Sequence, residues 1–228
     1  MVNRSIFTDW YEGPTLMYYL ENVHIASDYN FIDPRFPVQY VIRPNTDDYH
    51  DYRGYAGRLA GGIMKKGDKV MVLPSGFTST IKKIDTIEGE LQEAFPPMSV
   101  TVLLEDDIDI SRGDMIVREN NKPNVDQDIE VMLCWFNEKP IQPNGKYTVM
   151  HTTQQARCII KEIRYKLDIN TLHRNLEDKI LEMNDMGRVV IRTTKPLFFD
   201  AYRKNRITGS LILVEEGTNE TVAAGMII

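Results

Sequence analysis

The segment Lys66-Gly67-Asp68-Lys69-Val70-Met71-Val72-Leu73 decides the fold class, because a glycine turn is followed directly by a short apolar run. Gly67 suits a tight connection, since glycine adopts positive φ at little cost, and Pro143-Asn144-Gly145-Lys146 has the same character. We expect each turn to join paired strands. The β-like runs of the chain are residues 38–42, 69–73, 80–84, 100–104, 129–136, 147–150, 188–193 and 209–214. Short strands without helices between them favour a barrel or a sandwich.

Two segments are expected to be helical. The first begins at Gly13-Pro14, with Pro14 in the first helical turn. The second spans residues 171–185, and its apolar face consists of Leu172, Leu176, Ile180 and Met183. The polar stretch 118–127 contains one proline and one apolar residue, so we interpret it as a linker between two β-rich halves.

Composition and charge place the chain among globular proteins and give nucleic-acid binding no advantage. Hydrophobic residues make up 42% and charged residues 26%, and 27 Lys and Arg against 33 Asp and Glu leave a net charge of -6, which repels phosphate backbones. Cys134 and Cys158 are too few for a disulfide framework or a zinc knuckle. Asp9 and Glu12 exclude a signal peptide, and no apolar stretch is long enough to span a bilayer. We therefore expect a reduced, cytoplasmic protein.

Nucleotide-binding motifs are missing or incomplete. The sequence contains neither Gly-x-x-x-x-Gly-Lys-[Ser/Thr] nor Gly-x-Gly-x-x-Gly, so it holds no recognisable phosphate cradle. Asp51-Tyr52-Arg53-Gly54 matches a short GTPase motif, and Asn121-Lys122-Pro123-Asn124 approximates the guanine-reading motif but ends in asparagine. Without a preceding phosphate loop we interpret both as chance matches.

Other chemistry-bearing residues favour structural roles. The four histidines, His24, His50, His151 and His173, are scattered without metal-binding spacing. Ser75 lies in a turn-like Pro-Ser-Gly string, not in a nucleophile elbow. The acidic run Glu105-Asp-Asp-Ile-Asp109 lacks the spacing of a calcium loop, so we interpret it as a solvated loop between strands.

Several strings resemble elongation-factor-like GTPases. Trp10-Tyr-Glu-Gly-Pro-Thr-Leu16 resembles the tail of their nucleotide-binding domain. Phe36-Pro-Val-Gln-Tyr-Val-Ile-Arg-Pro44 and Gly62-Ile-Met-Lys-Lys-Gly-Asp-Lys-Val70 resemble the barrel of their second domain. On this resemblance, the chain begins where the nucleotide-binding domain ends.

More specific strings are similar to the GTPase subunits of bacterial ATP sulfurylases. In the first half these are residues 51–57 (Asp-Tyr-Arg-Gly-Tyr-Ala-Gly), 72–76 (Val-Leu-Pro-Ser-Gly) and 104–114. In the second half, residues 181–189, 205–209 and 218–227 resemble the third domain of that family. The resemblance also implies that residues 51–54 form a barrel strand and that residues 171–183 are largely irregular, against the helix that their periodicity favours.

The resemblance implies an all-β fold. It consists of two consecutive closed antiparallel β-barrels of the elongation-factor domain 2 and domain 3 type, preceded by a short helical remnant. The implied organisation is residues 1–22 as the tail of the GTPase domain with a linker, 23–120 as the domain 2-like barrel and 121–228 as the domain 3-like barrel.

The resemblance also implies a shared function. In the family, the GTPase subunit pairs with a smaller catalytic subunit that forms adenosine 5′-phosphosulfate and pyrophosphate from ATP and sulfate, in sulfate assimilation, and GTP hydrolysis is coupled to this uphill reaction. GTP and magnesium would bind in the missing nucleotide-binding domain. No catalytic, nucleotide-binding or metal-binding residue is therefore assigned to this chain, which alone should be inactive. The interface candidates are Arg53, Tyr55 and Arg112, because exposed arginine and tyrosine often anchor interfaces.

Two alternatives stay open at this point. One is the pair of barrels with which a translation factor holds the acceptor end of tRNA, which the acidic charge disfavours. The other is a β-barrel interaction module without a GTPase attached. The sequence leaves the oligomeric state open, as well as whether Met1 is a native start and whether a sulfate-activating kinase is fused to the parent enzyme.

Overall fold

The computed structural model describes residues 6–23, 29–44, 52–142 and 145–228, and most of them lie in β-strands. A 3-10 helix, Ile6–Thr8, and one short helix, α1 (Leu16–Asn22), precede the strands. Thr15 is the N-cap of α1, since its Oγ1 accepts a hydrogen bond from Tyr18 N at 3.3 Å. Pro14 therefore lies before the cap, and the prediction that it occupies the first helical turn is wrong. Among the described residues, no helix is long and apolar enough to cross a membrane.

The first sheet occupies the first half of the chain. Its strands are β1 (Arg35–Ile42), β2 (Gly54–Arg58), β4 (Lys69–Leu73), β5 (Thr78–Thr86), β6 (Gly89–Leu91), β8 (Ser99–Leu104) and β9 (Met115–Arg118), and β3 (Met64–Lys65) and β7 (Glu93–Ala94) form a separate ladder. The strand order is β4-β9-β1-β2-β8-β5-β6, and every pairing is antiparallel. Strand β4 also pairs with β5 through Lys69 to Met71, so the pairings of six strands form a ring.

The second sheet is a closed six-stranded antiparallel barrel. Its strands are β10 (Asn124–Trp135), β11 (Lys146–His151), β12 (Gln154–Leu167), β14 (Met186–Phe199), β15 (Ser210–Glu215) and β16 (Thr221–Ile227), with β13 (Arg174–Asn175) added at the edge. The order is β11-β15-β16-β10-β14-β12-β13, and the pairing of β11 with β12 closes the barrel. Closure removes the strand edges that an open sheet would expose. The predicted all-β fold with a closed antiparallel barrel is confirmed.

Each sheet encloses its own apolar core. Along β8 and β11 buried and more exposed residues alternate, as expected for strands with one face inward. The larger inward side chains are Phe36, Leu59, Ile81, Ile84 and Ile116 in the first sheet and Trp135, Ile129, Leu133, Val149 and Ile191 in the second. Burial of such side chains supplies the main favourable term in folding.

A third cluster joins the two sheets. Leu73, Met115 and Val117 of the first sheet pack with Phe198 of the second. Beside them runs a buried ion pair between Arg35 in β1 and the residue that follows β14, Asp200. Arg35 Nε donates to Asp200 Oδ2 at 2.8 Å and its Nη2 donates to Oδ1 at 3.0 Å. The sheets are thus connected by apolar contacts and by a bidentate charged pair.

The predicted strands overlap observed strands in every case, and residues 69–73 match β4 from end to end. The linker prediction for residues 118–127 is wrong at both ends, because only residues 119–123 lie between strands. Arg118 ends β9, and β10 already begins at Asn124. Asn124 pairs with Phe199 in the second sheet, so the connection between the sheets is shorter than its polar composition suggested.

The two predicted turns behave differently. Gly67 has a φ of +87°, as expected for this turn. The turn connects β3 to β4, but β3 pairs with β7, and β4 pairs with β5 and β9. The turn therefore does not join paired strands. Residues 143 and 144 of the second turn lie outside the described residues. Gly145 has no positive φ. Glycine is favoured at this position for a steric reason, because a Cβ on residue 145 would lie 2.7 Å from the Tyr147 hydroxyl oxygen. The connection that it ends links β10 to β11, which also do not pair with each other.

The helix that periodicity favours over residues 171–185 is not formed, and the irregular chain that the resemblance implies is observed apart from β13. Local side-chain hydrogen bonds explain the difference. Asn175 Oδ1 accepts from the backbone N–H groups of Glu177 and Asp178 at 3.0 and 3.1 Å, and such bonds compete with helical ones. Leu172 has a φ of +60°, which also interrupts a helix.

Candidate interaction site

Arg53 holds the acidic loop, residues 105–109, which begins the connection from β8 to β9. Arg53 immediately precedes β2, and its side chain is 16% exposed. Its Nη1 donates to Asp107 Oδ1, and its Nη2 donates to Asp109 Oδ1 at 3.1 Å. The two carboxylate side chains are 83% and 97% exposed. Arg53 is therefore largely covered, while the carboxylates that it binds face solvent.

Tyr55 supports the same loop from inside the first sheet. It is 1% exposed, so the expectation of an exposed tyrosine is wrong. Its hydroxyl donates to the carbonyl oxygen of Ile108 at 2.7 Å, and the Arg53 guanidinium lies 5.8 Å from the centre of its ring. Burial raises the pKa of the Tyr55 hydroxyl, although the charge of Arg53 opposes this. Tyr55 therefore positions the backbone of the acidic loop and is not itself a surface residue.

Further hydrogen bonds fix the start of the acidic loop. Ser79 Oγ in β5 donates to Asp106 Oδ2 at 2.7 Å, and Asp106 N donates back to Ser79 Oγ at 3.2 Å. Glu105 N donates to the carbonyl oxygen of Thr80 at 3.0 Å. The prediction of a solvated loop between strands is confirmed. Within the residues that the structure describes, no three His, Cys, Asp or Glu side chains converge to hold a metal ion.

Arg112 lies further along the same connection and is exposed. Its Nη1 donates to the carbonyl oxygen of Gln39 in β1 at 3.4 Å. Asp114, two residues on, accepts a hydrogen bond from Ser111 N at 2.8 Å, and burial raises the pKa of its carboxyl group. The structure thus brings Arg53 and Tyr55 together at the acidic loop, whereas Arg112 lines a different cleft.

The nucleotide-like motifs have structural roles where the structure describes them. Asp51 lies outside the described residues, and Gly54 is the first residue of β2, so the implied strand begins only at the end of that string. Asn121 Oδ1 accepts from Arg35 Nη1 at 3.0 Å, and Asn121 Nδ2 donates to Asp33 Oδ1 at 2.6 Å. These bonds occupy the Asn121 side chain in the junction between the sheets.

The remaining candidates also have structural surroundings. His24 and His50 lie outside the described residues, and His173 is exposed. His151 is buried, with its Nε2 2.8 Å from the carbonyl oxygen of Thr208. Burial raises the pKa of the Cys158 thiol to about 12, which leaves it protonated and inert. His151 and Cys158 are thus buried parts of the second barrel.

Sequence reasoning missed the cations that lie near Arg53. A cleft of about 460 Å³ beside the acidic loop is lined by Arg43, which follows β1, and by Lys82 in β5, together with Tyr52. These residues are distant in sequence and meet because β1, β2, β8 and β5 are neighbouring strands. No local pattern signals such a juxtaposition.

Comparison with known proteins agrees with this architecture. Residues 128–228 match the GTP-eEF1A C-terminal domain-like family. This matched segment is similar to that family over most of the length of the second barrel. Its boundaries contain nearly all of the closed barrel, including β11 to β16.

Curated relatives extend the match to the whole chain. It is 51% identical to sulfate adenylyltransferase subunit 1 of Bacteroides fragilis and 50% identical to the bifunctional enzyme CysN/CysC of Mycobacterium tuberculosis, with all of this chain aligned in both cases. Over its whole length the chain is a homologue of these proteins. It covers 47% of the first and 37% of the second, so it spans less than half the length of either.

Solved structures share the fold at low sequence identity. Sup35 complexed with GDP superposes with a TM-score of 0.76 at 19% identity, over 96% of this chain and 52% of that protein. The translation elongation factor SelB of Methanococcus maripaludis, in its apo form, gives a TM-score of 0.69 at 14% identity, over 92% of this chain and 45% of its own. At these identities the likeness concerns the fold.

Proposed function

We propose that this chain is the β-barrel portion of a sulfate adenylyltransferase GTPase subunit, where it couples GTP hydrolysis to the formation of adenosine 5′-phosphosulfate and pyrophosphate. The observation that carries the proposal is the 51% identity, across the whole chain, to a protein named sulfate adenylyltransferase subunit 1. Identity at this level over both sheets supports a shared role in addition to a shared fold.

In this proposal, nucleotide binding and catalysis take place outside this chain, in other parts of a cytoplasmic parent protein. The chain has no phosphate loop in its sequence, and it covers less than half of its relatives. GTP and magnesium therefore bind to a nucleotide-binding domain outside residues 1–228. Residues 1–22 form the tail of that domain with a linker, residues 23–120 the domain 2-like unit and residues 121–228 the domain 3-like unit. The chain alone has no GTPase or adenylyltransferase activity.

The acidic loop is the part of the proposed interface that the contacts define best. Arg53 and Tyr55 hold the loop so that the carboxylates of Asp107 and Asp109 project into solvent. Held carboxylates suit a partner surface that carries lysine or arginine, because a fixed geometry lowers the entropic cost of pairing. Arg112, which is exposed, extends the same connection. The partner is the smaller catalytic subunit, and the barrels transmit the GTP state through this contact.

The test uses the full-length parent subunit reconstituted with its smaller partner. Arg53→Ala releases the acidic loop and so weakens its contact with the partner subunit. A loss of about 1.4 kcal/mol in that contact corresponds to a factor of about ten, so we expect the stimulation of adenosine phosphosulfate synthesis by GTP to fall by about tenfold. Arg112→Ala should also reduce it. The rate of synthesis is measured with and without GTP, and the affinity between the subunits is measured separately.

A matched control separates coupling from folding. Arg203→Ala removes an exposed arginine of the second half and should leave the stimulation by GTP unchanged. Thermal unfolding of each variant shows whether the sheets remain intact. We expect only a small change in stability, because ion pairs with an exposed carboxylate, such as that of Asp109, contribute only about 0.2–1 kcal/mol. GTP-dependent synthesis that is identical in the wild type and in the Arg53 and Arg112 variants would contradict the proposed interface.

A further inference from the structure

A cleft of about 660 Å³ lies between the two sheets, within the size range of small-molecule sites. We name it the inter-sheet cleft. One wall comes from the first sheet and contains Pro74 and the segment Arg112-Gly113-Asp114. The other wall comes from the second barrel and contains Thr153, Gln154, Lys195, Pro196 and Phe198. Ligand sites occur preferentially at such junctions.

Two cations from opposite walls line this cleft. Arg112 precedes β9, and Lys195 lies in β14. Both are exposed, and within the described ranges neither forms an ion pair with a carboxylate. Among the described residues that line the cleft, Asp114 is the only acidic one, and its Oδ2 already accepts a hydrogen bond from Ser111 N at 2.8 Å. The cleft therefore offers one guanidinium and one ammonium group whose charges are not neutralised.

The β11–β12 hairpin at the rim of the cleft is strained. Its two-residue loop is Thr152-Thr153, and Thr152 has φ of +51°, where a β-branched residue is a rare outlier and glycine is preferred. Two buried oxygen atoms of the next residues, Thr153 Oγ1 and Gln154 Oε1, have no hydrogen-bond partner. Strained backbone and unsatisfied polar groups concentrate at functional sites, since surrounding structure must stabilise both.

The Gln154 side chain ties this hairpin to the strand that carries Lys195. Its Nε2 donates to the carbonyl oxygen of Pro196 at 3.2 Å. Gly113 lies on the facing wall, and a Cβ at that position would make an ordinary van der Waals contact with Gln154 Cγ, at 3.6 Å. The positive φ of Gly113, +97°, keeps glycine there. The wall from the second barrel, which carries Lys195, is thus held in place by a hydrogen bond between its own strands.

We propose that the inter-sheet cleft binds the oxyanion group of a small molecule, sulfate or phosphate, between Arg112 and Lys195. A guanidinium donates to two oxygens of such a group in parallel, and an ammonium contributes a compact charge from the other side. The Thr153 hydroxyl donates a third hydrogen bond after a rotation about χ1. This site lies outside the proposed nucleotide chemistry, and its test needs neither GTP nor the partner subunit.

The experiment measures binding directly to the 228-residue chain. Equilibrium dialysis with radiolabelled inorganic sulfate and, separately, radiolabelled inorganic phosphate is carried out at constant ionic strength. Direct binding is preferable to thermal stabilisation because both anions stabilise folded proteins nonspecifically. We expect saturable binding of one anion per chain at millimolar concentrations, and the anion with the higher affinity identifies the source of the oxyanion group.

Three variants connect the binding to the cleft. Arg112→Ala combined with Lys195→Ala should lower the affinity by at least about tenfold, since each lost charge-assisted hydrogen bond has an effect of that order. Asp114→Asn removes the one negative charge of the lining and should raise the affinity. Thr153→Val keeps the shape of the side chain and should lower the affinity by a few fold without lowering the unfolding temperature.

The matched control is Lys122→Ala combined with Arg203→Ala. These residues are exposed and lie outside the cleft, and the control removes the same charges as the double variant of the cleft. The control should bind as the wild type does. Absence of saturable binding of both anions overturns the proposal, and so does an equal loss of affinity in the cleft variant and the control, which would indicate a net-charge effect only.

Discussion

Replacing Asp200 with asparagine tests how strongly the buried ion pair joins the two sheets. Arg35 is 0% exposed, and the side chain of Asp200 is 3% exposed. The two parallel hydrogen bonds, at 2.8 and 3.0 Å, use both carboxylate oxygens. Asparagine has one acceptor oxygen, so one of these bonds is lost and the guanidinium keeps its charge without a counter-charge.

The size of the effect follows from what Arg35 retains. Its Nη1 still donates to the carbonyl oxygens of Pro34 and Asn121, both at 2.9 Å, and to Asn121 Oδ1. Removal of one partner of a buried pair costs about 3–5 kcal/mol, and the remaining acceptors favour the lower end, about 3 kcal/mol. Asp200 has further partners, Thr208 Oγ1 at 2.9 Å and Lys204 Nζ at 3.6 Å. Arg35→Met combined with Asp200→Asn should therefore cost less than the sum of the single variants.

The assay is urea unfolding followed by the fluorescence of Trp135, which is 2% exposed in the core of the second barrel. With an unfolding slope of about 3 kcal/mol per molar, a loss of about 3 kcal/mol lowers the midpoint by about 1 M. Asp9→Asn, at an exposed position, is the control and should leave the midpoint in place. A loss below about 1 kcal/mol in Asp200→Asn would refute the reasoning, because it would mean that water or other groups compensate the guanidinium.

Two further predictions concern His151 and Thr152. Burial lowers the pKa of His151 below its ordinary 6.5, so the unfolded chain binds a proton that the folded chain does not, and stability should fall as pH decreases below that value. Urea midpoints at about pH 7.5 and about pH 5.5 should therefore differ less in His151→Gln than in the wild type, and an equal difference would contradict this. Thr152→Gly should relieve strain and stabilise the chain by about 1 kcal/mol in thermal unfolding, whereas Thr218→Gly, where φ is not positive, should destabilise it.

The strands that were predictable are those whose pattern is local. Residues 70–73 form an uninterrupted apolar run next to a turn, and the observed strand, Lys69–Leu73, matches the predicted one. The longest strand missed, β12 (Gln154–Leu167), carries many charged residues on its outer face, and bulges after Ile160 and Ile163 interrupt its alternation. The strand that the resemblance implied over residues 51–54 overlaps β2 (Gly54–Arg58) only at Gly54. The pattern of residues did not indicate β2 either, because two of its five residues are glycines, which pack closely against neighbouring residues.

The site was less predictable than the fold because its contacts are distant in sequence. Arg35 and Asp200 are 165 residues apart, and the sequence around each of them contains no pattern that predicts a buried ion pair. Tyr55 was expected at the surface because tyrosine often anchors interfaces, but its ring fills the first core and only its hydroxyl reaches the acidic loop. Burial of an amphipathic side chain depends on strand register, which a single sequence does not reveal.

The junction between the sheets and the inter-sheet cleft are built from the same chain segments. The stability of the junction and the affinity of the cleft for an anion should therefore be coupled. Pro74 follows Leu73, Asp114 precedes Met115, and Phe198 belongs to both the cleft and the junction cluster. Weakening the junction therefore changes the separation of Arg112 and Lys195, so Asp200→Asn should lower the affinity of the cleft for an oxyanion as well as the stability of the chain. Linkage makes the effect reciprocal: an anion that bridges the two cations must strengthen the association of the sheets by the same free energy. The affinity of the cleft is thus a measure of how firmly the two sheets are joined.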